Sequence, residues 1–191
     1  MSPLERQALE NLYDSTDGPN WNYLYDTGIP WDLSNPYTNP CDELWYGITC
    51  SVDYHVVDLC LGYSNLRGTI PATISQWSFL EYLYLQSNQL TGTIPSTIGQ
   101  LFSLEYIFPY DNKLTGVVPV SPCQIDLGYN CFEFQNNHLQ CYPECFLLRS
   151  VLAINAGSIP VCAKPSDQPI TEPSTQPISL MNSKGTKTLN K

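Results

Sequence analysis

The chain has 191 residues, 42% of them hydrophobic, and a formal net charge of -10. That length suits one ordinary domain with a tail, and no apolar run reaches the roughly 18 residues that a membrane-spanning helix needs. Up to Cys162 the only basic residues are Arg6, Arg67, Lys113 and Arg149, set against 16 of the 18 acidic ones, so this part disfavours nucleic acid and direct insertion into an anionic membrane.

Eight cysteines in a chain this short point to an oxidising compartment. Residues 1–20 show neither a basic stretch nor an apolar core of a signal peptide. The expected location is therefore secreted, cell wall or cell surface, with the leader not visible. A cytoplasmic protein with reduced thiols is the alternative.

In chain order, Ser2-Pro3-Leu4-Glu5 predicts a helix start, with a capping box and a proline at the first helical position. Leu4, Ala8, Leu9 and Leu12 then form one apolar face. DSTDGPNW follows, with Trp21, Trp31 and Trp45, and residues 1–55 are expected to form an amino-terminal cap.

From Val56 the chain repeats itself every 24 residues. Val56, Leu80 and Leu104 correspond, as do Leu66, Leu90 and Leu114, Gly68, Gly92 and Gly116, and Pro71, Pro95 and Pro119. A fourth, irregular copy comes one residue late, with Phe132, Phe134, Asn137 and Leu139. Within one copy, Leu83-Tyr84-Leu85 alternates like a short strand, with the leucines inward and the tyrosine outward. Asn88 sits at the turn, where a side-chain amide can serve buried backbone donors and acceptors at once. Ser64, Asn88, Asn112 and Asn137 are expected to stack as a structural ladder. Leu90 packs inward, Gly92 permits a tight path, Ile94-Pro95 turns the chain, and Ile98 and Leu101 return it to the core. No single copy can bury its apolar edge, so the copies must stack.

LxGTIPATI, LxGTIPSTI and LxGVVP resemble the plant-type leucine-rich repeats of plant receptor-kinase ectodomains and polygalacturonase-inhibiting proteins. The resemblance covers roughly residues 4–145 and is specific for fold. It implies an α/β solenoid with a short parallel β-sheet on the concave face, 3-10 or loop returns, a helical amino-terminal cap and a disulfide-rich carboxy-terminal cap. The expected organisation is a cap over 1–55, three regular repeats over 56–122, a degenerate fourth repeat with a cysteine-rich cap over 123–162, and a Pro/Ser/Thr tail over 163–191. CDELWYGITC resembles the end of the family's amino-terminal cap, which implies a Cys41–Cys50 disulfide closing a loop worth roughly 2–3 kcal/mol. Cys123, Cys131, Cys141, Cys145 and Cys162 belong to the other cap, and with Cys60 they leave 15 connectivities open. Cys60, between Leu59 and Leu61, falls on the exposed strand face and reads as a free thiol.

Aligning the four copies makes the concave columns readable. One holds Asp58, Tyr82, Tyr106 and Cys131; the next Cys60, Tyr84, Phe108 and Glu133; a third Gly62, Gln86, Tyr110 and Gln135. Glu81 and Glu105 flank them, and Asp111 lies toward the turn. The expected binding surface is an aromatic patch with an acidic edge, which suits a protein or peptide ligand, with a saccharide as the alternative. Cross-strand aromatic support of a narrow sheet, or a homodimer that buries the patch, would use the same residues. Pro109 stands in an inward leucine position and is expected to interrupt the third strand.

The sequence carries no P-loop, dinucleotide-binding or nucleophile-elbow motif, and no cofactor is expected. His55 precedes the first repeat and is expected on the surface. His138, Cys141 and Cys145 have compact zinc spacing, but a disulfide cap accounts for the same cysteines, and no metal or catalytic residue is assigned. The resemblance implies a non-enzymatic extracellular recognition module in signalling or defence. The rivals are an inhibitor of a secreted hydrolase, a structural or adhesive wall protein, and an intracellular scaffold.

Overall fold

The computed structural model describes residues 1–23, 28–119, 131–144 and 153–162. Helix α1 spans Pro3–Ser15, and β1 spans Ile48–Cys50. The first copy contributes β2 (Val56–Cys60), β3 (Arg67–Thr69) and a 3-10 return at Ala72–Gln76. The second contributes β4 (Tyr82–Tyr84), β5 (Gln89–Thr91) and a return at Ser96–Gln100. Then come β6 (Tyr106–Phe108), β7 (Thr115–Val117), β8 (Cys131–Glu133), β9 (His138–Cys141) and β10 (Ala153–Asn155).

Six strands form one sheet in the order β1-β2-β4-β6-β8-β10. All neighbours are parallel except β1, which runs antiparallel to β2 and brings the amino-terminal region onto the sheet edge. On the flank beyond the turns, β3 pairs with β5 and β7 with β9. The expected solenoid is therefore present, with one more strand at each side of the sheet than the four copies supply.

Alternation sorts the side chains. Leu59, Leu83, Ile107 and Phe132 occupy one inward row, and Leu61, Leu85 and Phe134 another, all at most 2% exposed. A fully buried side chain of this size is worth about 1.5–3 kcal/mol. Ile74, Ile98 and Leu101 close the core from the return side.

The turn amides hold the copies at a fixed spacing. Asn88 Oδ1 accepts from Leu66 N of the preceding copy at 3.0 Å, while its Nδ2 donates to Leu61 O at 2.7 Å and Leu85 O at 3.0 Å. Asn112 repeats this with Leu90 N, Leu85 O and Pro109 O, and Asn137 with Leu114 N, Pro109 O and Phe134 O. The residue before each amide (Tyr63, Ser87, Asp111 and Asn136) is left-handed, at φ 54–60°. Ser64 is too short to span copies; its hydroxyl donates to Gly62 O at 3.1 Å and meets Tyr46 Oη at 3.3 Å. Gly68, at φ +118°, lies so close to the end of α1 that a Cβ there would stand 2.1 Å from Ser15 O.

Two expectations for the cap need correction. Leu4 is 63% exposed, whereas Glu5 is 2% exposed and takes its place on the packed face with Ala8, Leu9 and Leu12. Glu5 is tolerated there because its polar atoms are served: Ser2 N and Ser2 Oγ donate to its carboxylate at 3.1 and 2.8 Å, and Val56 N at 3.2 Å. Burial pushes its pKa up, but these bonds outweigh that and hold the carboxyl below its usual value. Trp77 Nε1 donates to Glu5 O at 3.1 Å, so helix, first strand and first return meet at one residue. His55 is half-buried rather than a surface residue, with Nδ1 3.3 Å from Glu5 and its ring stacked on Phe79 at 4.0 Å.

Disulfides join Cys41 to Cys50 and Cys141 to Cys162, and Cys60 is free. Cys141 is thus withdrawn from the zinc spacing. Cys123, Cys145 and the side chain of Cys131 lie outside the described residues, as does the 163–191 tail.

Replacing Asn88 by Ala is expected to cost about 3 kcal/mol, because Leu66 N–H and the carbonyls of Leu61 and Leu85 lose a buried partner. Urea unfolding would show a lower midpoint with an unchanged slope; an unaltered midpoint would show that water replaces the amide.

Candidate binding surface

The concave face grows from strand register. Asp58 pairs with Tyr82, Tyr82 with Tyr106 and Tyr106 with Cys131. Cys60 pairs with Tyr84, and Tyr84 with Phe108. Tyr63 N donates to Gln86 O, Ser87 N to Tyr110 O and Asp111 N to Gln135 O, so the third column keeps step beyond the formal strands.

Strict register makes the rings stack. Tyr82 and Tyr106 lie 5.2 Å apart at 10°, and Tyr84 and Phe108 5.2 Å apart at 18°. Along the strands Tyr82 faces Tyr84 at 6.4 Å and 4°, and Tyr106 faces Phe108 at 6.1 Å and 28°. Tyr110 turns its edge to Phe108 at 6.4 Å. All five are half-buried. Their faces largely cover one another, so the surface presents ring edges and phenol groups rather than open planes. Such pairs also support the sheet, at roughly 0.2–1 kcal/mol each.

Pro109 does interrupt the ladder, but only locally. Proline has no N–H to offer the next strand, and β6 pairs with β8 at two positions where β4 and β6 pair at three. Leu85 N still donates to Phe108 O and Asp111 N to Gln135 O, so Phe108 and Tyr110 keep their outward columns.

Acidic groups border the rings. Tyr82 Oη donates to Glu105 at 3.4 Å, and Ser87 Oγ to Asp111 at 3.4 Å. Gln135 Nε2 donates to Glu133 at 3.1 Å. The Glu105 charge, with partial burial and Glu81, pushes the Tyr82 phenol pKa up; burial, then Asp58, does the same for Tyr84. Both phenols therefore remain neutral donors at physiological pH. Asp58, against the β1 edge, has Oδ1 buried without a hydrogen-bond partner, and burial raises its pKa to about 6. Burial and Asp58 push the exposed Cys60 thiol up as well.

Within the third column Gln86 leans over the first copy: a Cβ on Gly62 would meet its side-chain nitrogen at 2.5 Å. Tyr63 was not among the expected surface residues. It is 48% exposed, holds φ +60° and lies near enough to Tyr110 to help push that phenol's pKa up, extending the aromatic patch where Gly62 supplies no side chain. Its alignment with Ser87 and Asp111 was the available signal.

Asp58 ties stability to pH. Its folded value of about 6 lies above the unfolded value near 3.9, so the favourable contribution of its proton is full below about pH 4 and is lost as pH rises through 6. Asp58→Asn is expected to raise the melting temperature above pH 6 and to leave it unchanged below pH 4. A constant difference across that range in thermal melts would refute the assignment.

A family model of the Leucine Rich Repeat matches residues 79–101. A probable leucine-rich repeat receptor-like protein kinase of Arabidopsis thaliana is 37% identical over 83 residues, covering 42% of this chain. The match spans 9% of that kinase's length. Among solved structures, the ectodomain of the receptor kinase SOBIR1 from Arabidopsis thaliana superposes with a TM-score of 0.57 at 19% identity, over 82% of this chain and 92% of that one. The ectodomain of the Arabidopsis receptor kinase HAESA, solved in complex with an IDA peptide hormone ligand, gives 0.57 at 21% identity, over 82% and 26%. At those identities the structural likeness speaks for the fold. The 24-residue repeat of this chain thus builds a leucine-rich-repeat solenoid, the fold of those ectodomains, and residues 79–101 carry the Leucine Rich Repeat itself.

Proposed function

We propose that the chain is a non-enzymatic extracellular recognition module that binds a protein or peptide ligand on its concave face. The observation that carries this reading is the half-buried aromatic lattice of Tyr82, Tyr84, Tyr106, Phe108 and Tyr110, bordered by Glu81, Glu105 and Asp111. Stiff aromatic groups with polar tips give contact area at low entropic cost, and contiguous exposed aromatics mark interfaces. A peptide can meet ring edges, phenol donors and carboxylates together. A saccharide stacks on open ring planes, and here neighbouring rings take most of them, which favours protein over sugar. The disulfides Cys41–Cys50 and Cys141–Cys162 accord with an oxidising, extracellular setting. The peptide held by the HAESA ectodomain is a parallel on the same fold.

The test is affinity capture from secreted and wall material, with a Tyr82→Ser, Tyr84→Ser, Phe108→Ser variant as control. The variant is expected to fold and to lose at least about tenfold in captured partner, as removal of central anchors does. Glu81→Gln with Glu105→Gln serves as a second variant that leaves the rings in place. Equal retention by wild type and both variants would remove the concave face from consideration.

A further inference from the structure

Three carboxylates of the concave face, Glu81, Glu105 and Asp111, have no cationic partner among the described residues. The segments 57–63, 81–87, 105–111 and 131–136 contain no lysine or arginine. Among the described residues, the ion pairs are Arg6–Glu10 and His55–Glu5, both away from the aromatic lattice, and Glu81, Glu105 and Asp111 join none. The nearby cations do not point there. Arg6 is held by Glu10, Thr38 O and Asn35 O, while Arg67 and Lys113 lie past the turns on the flank.

The chain carries a complementary segment of its own. Residues 179–191, SLMNSKGTKTLNK, hold Lys184, Lys187 and Lys191 and no acid, together with Leu180, Met181 and Leu189. This segment lies outside the described residues. The point from which it departs is fixed: Cys162 is bonded to Cys141 in β9, which pairs with β7 on the flank beyond the turns. From Cys162 to Lys184 there are 22 residues, with a maximum reach of roughly 70 Å at about 3.3 Å per residue. The six strands of the sheet, about 4.8 Å apart, span only about 24 Å. Every part of the face is within range.

We infer that the lysine-bearing segment 179–191 docks on the concave face of the same chain, setting its ammonium groups against Glu81, Glu105 and Asp111 and its Leu and Met side chains against the ring edges. Each exposed pair is weak by itself. The covalent link makes docking intramolecular, with an effective concentration in the millimolar range (about mM), so weak pairs suffice and remain displaceable. An outside ligand then has to compete with the segment. The inference rests on the concave face being the binding surface, and it adds an internal competitor for it.

The full chain is treated with a water-soluble carbodiimide, which joins a lysine to a carboxylate only when the two are in contact, and the amides are mapped by mass spectrometry of the monomer. Amides from Lys184, Lys187 or Lys191 to Glu81, Glu105 or Asp111 are expected. Their yield is expected to fall several-fold between 0.1 M and 1 M salt, as the screening length drops from about 10 Å to about 3 Å. Glu81→Gln with Glu105→Gln is expected to remove the amides at those positions. Absence of these amides, or amides spread over all acids without salt dependence, overturns the inference. Amides between isotopically light and heavy chains that rise with protein concentration overturn it too, since the occupant is then a second copy. None of these readouts requires an outside ligand, so failure of the recognition reading is separately visible. In the capture experiment, Lys184→Glu, Lys187→Glu, Lys191→Glu is expected to retain more partner than wild type; equal retention counts against competition.

Discussion

The arrangement depends on how a buried turn satisfies its backbone. Each solenoid copy must bend sharply, and bending strands amide and carbonyl groups away from water. Asn88, Asn112 and Asn137 answer this with a single side chain each, taking a donor from the preceding copy and giving to carbonyls of both copies. The same bonds that satisfy the turn therefore set the offset between neighbours. Where the series begins, Ser64 lacks reach, and Tyr46 approaches from the amino-terminal region to share the buried site. The ladder ends on a different partner rather than on solvent.

Fixed offset is what turns a sequence repeat into a surface. Tyr82 falls on Tyr106 and Tyr84 on Phe108 because their strands cannot slip without breaking the amide ladder. Their faces hold the narrow sheet together, and their edges and hydroxyls, with the carboxylates around them, make up the outer surface. Proximity and burial limit further charge on this face: Glu105 disfavours ionisation of Tyr82, and a poorly hydrated Asp58 keeps its proton up to about pH 6.

Much of this could be read from the chain. Alternation in Leu83-Tyr84-Leu85 separates core from surface, and a constant interval of 24 aligns the columns, because both patterns are one-dimensional and the structure stacks them without rearrangement. What escaped depends on contacts between distant residues. Glu5 belongs to a recognisable capping box, but its burial follows from Val56, His55 and Trp77, some 50 to 72 residues away. The antiparallel edge strand β1 carries no repeat signal, and the partner of Cys141 is decided by proximity rather than spacing. Tyr63 hides because Gly62 beside it breaks the aromatic column, and only the left-handed turn carries its ring out to Tyr110.

Pro109 has a meaning beyond the side-chain columns. In a stacked array each copy is held chiefly by its neighbours, so cooperativity is only as strong as the weakest junction. The amide ladder runs across the β6–β8 junction through Asn137, but the sheet gives up a paired position there. The solenoid thus has a natural parting line. Transient opening is expected to start on its carboxy-terminal side and to leave β2, β4 and the amino-terminal cap closed, so that hydrogen exchange divides the protein into two cooperative units along this line.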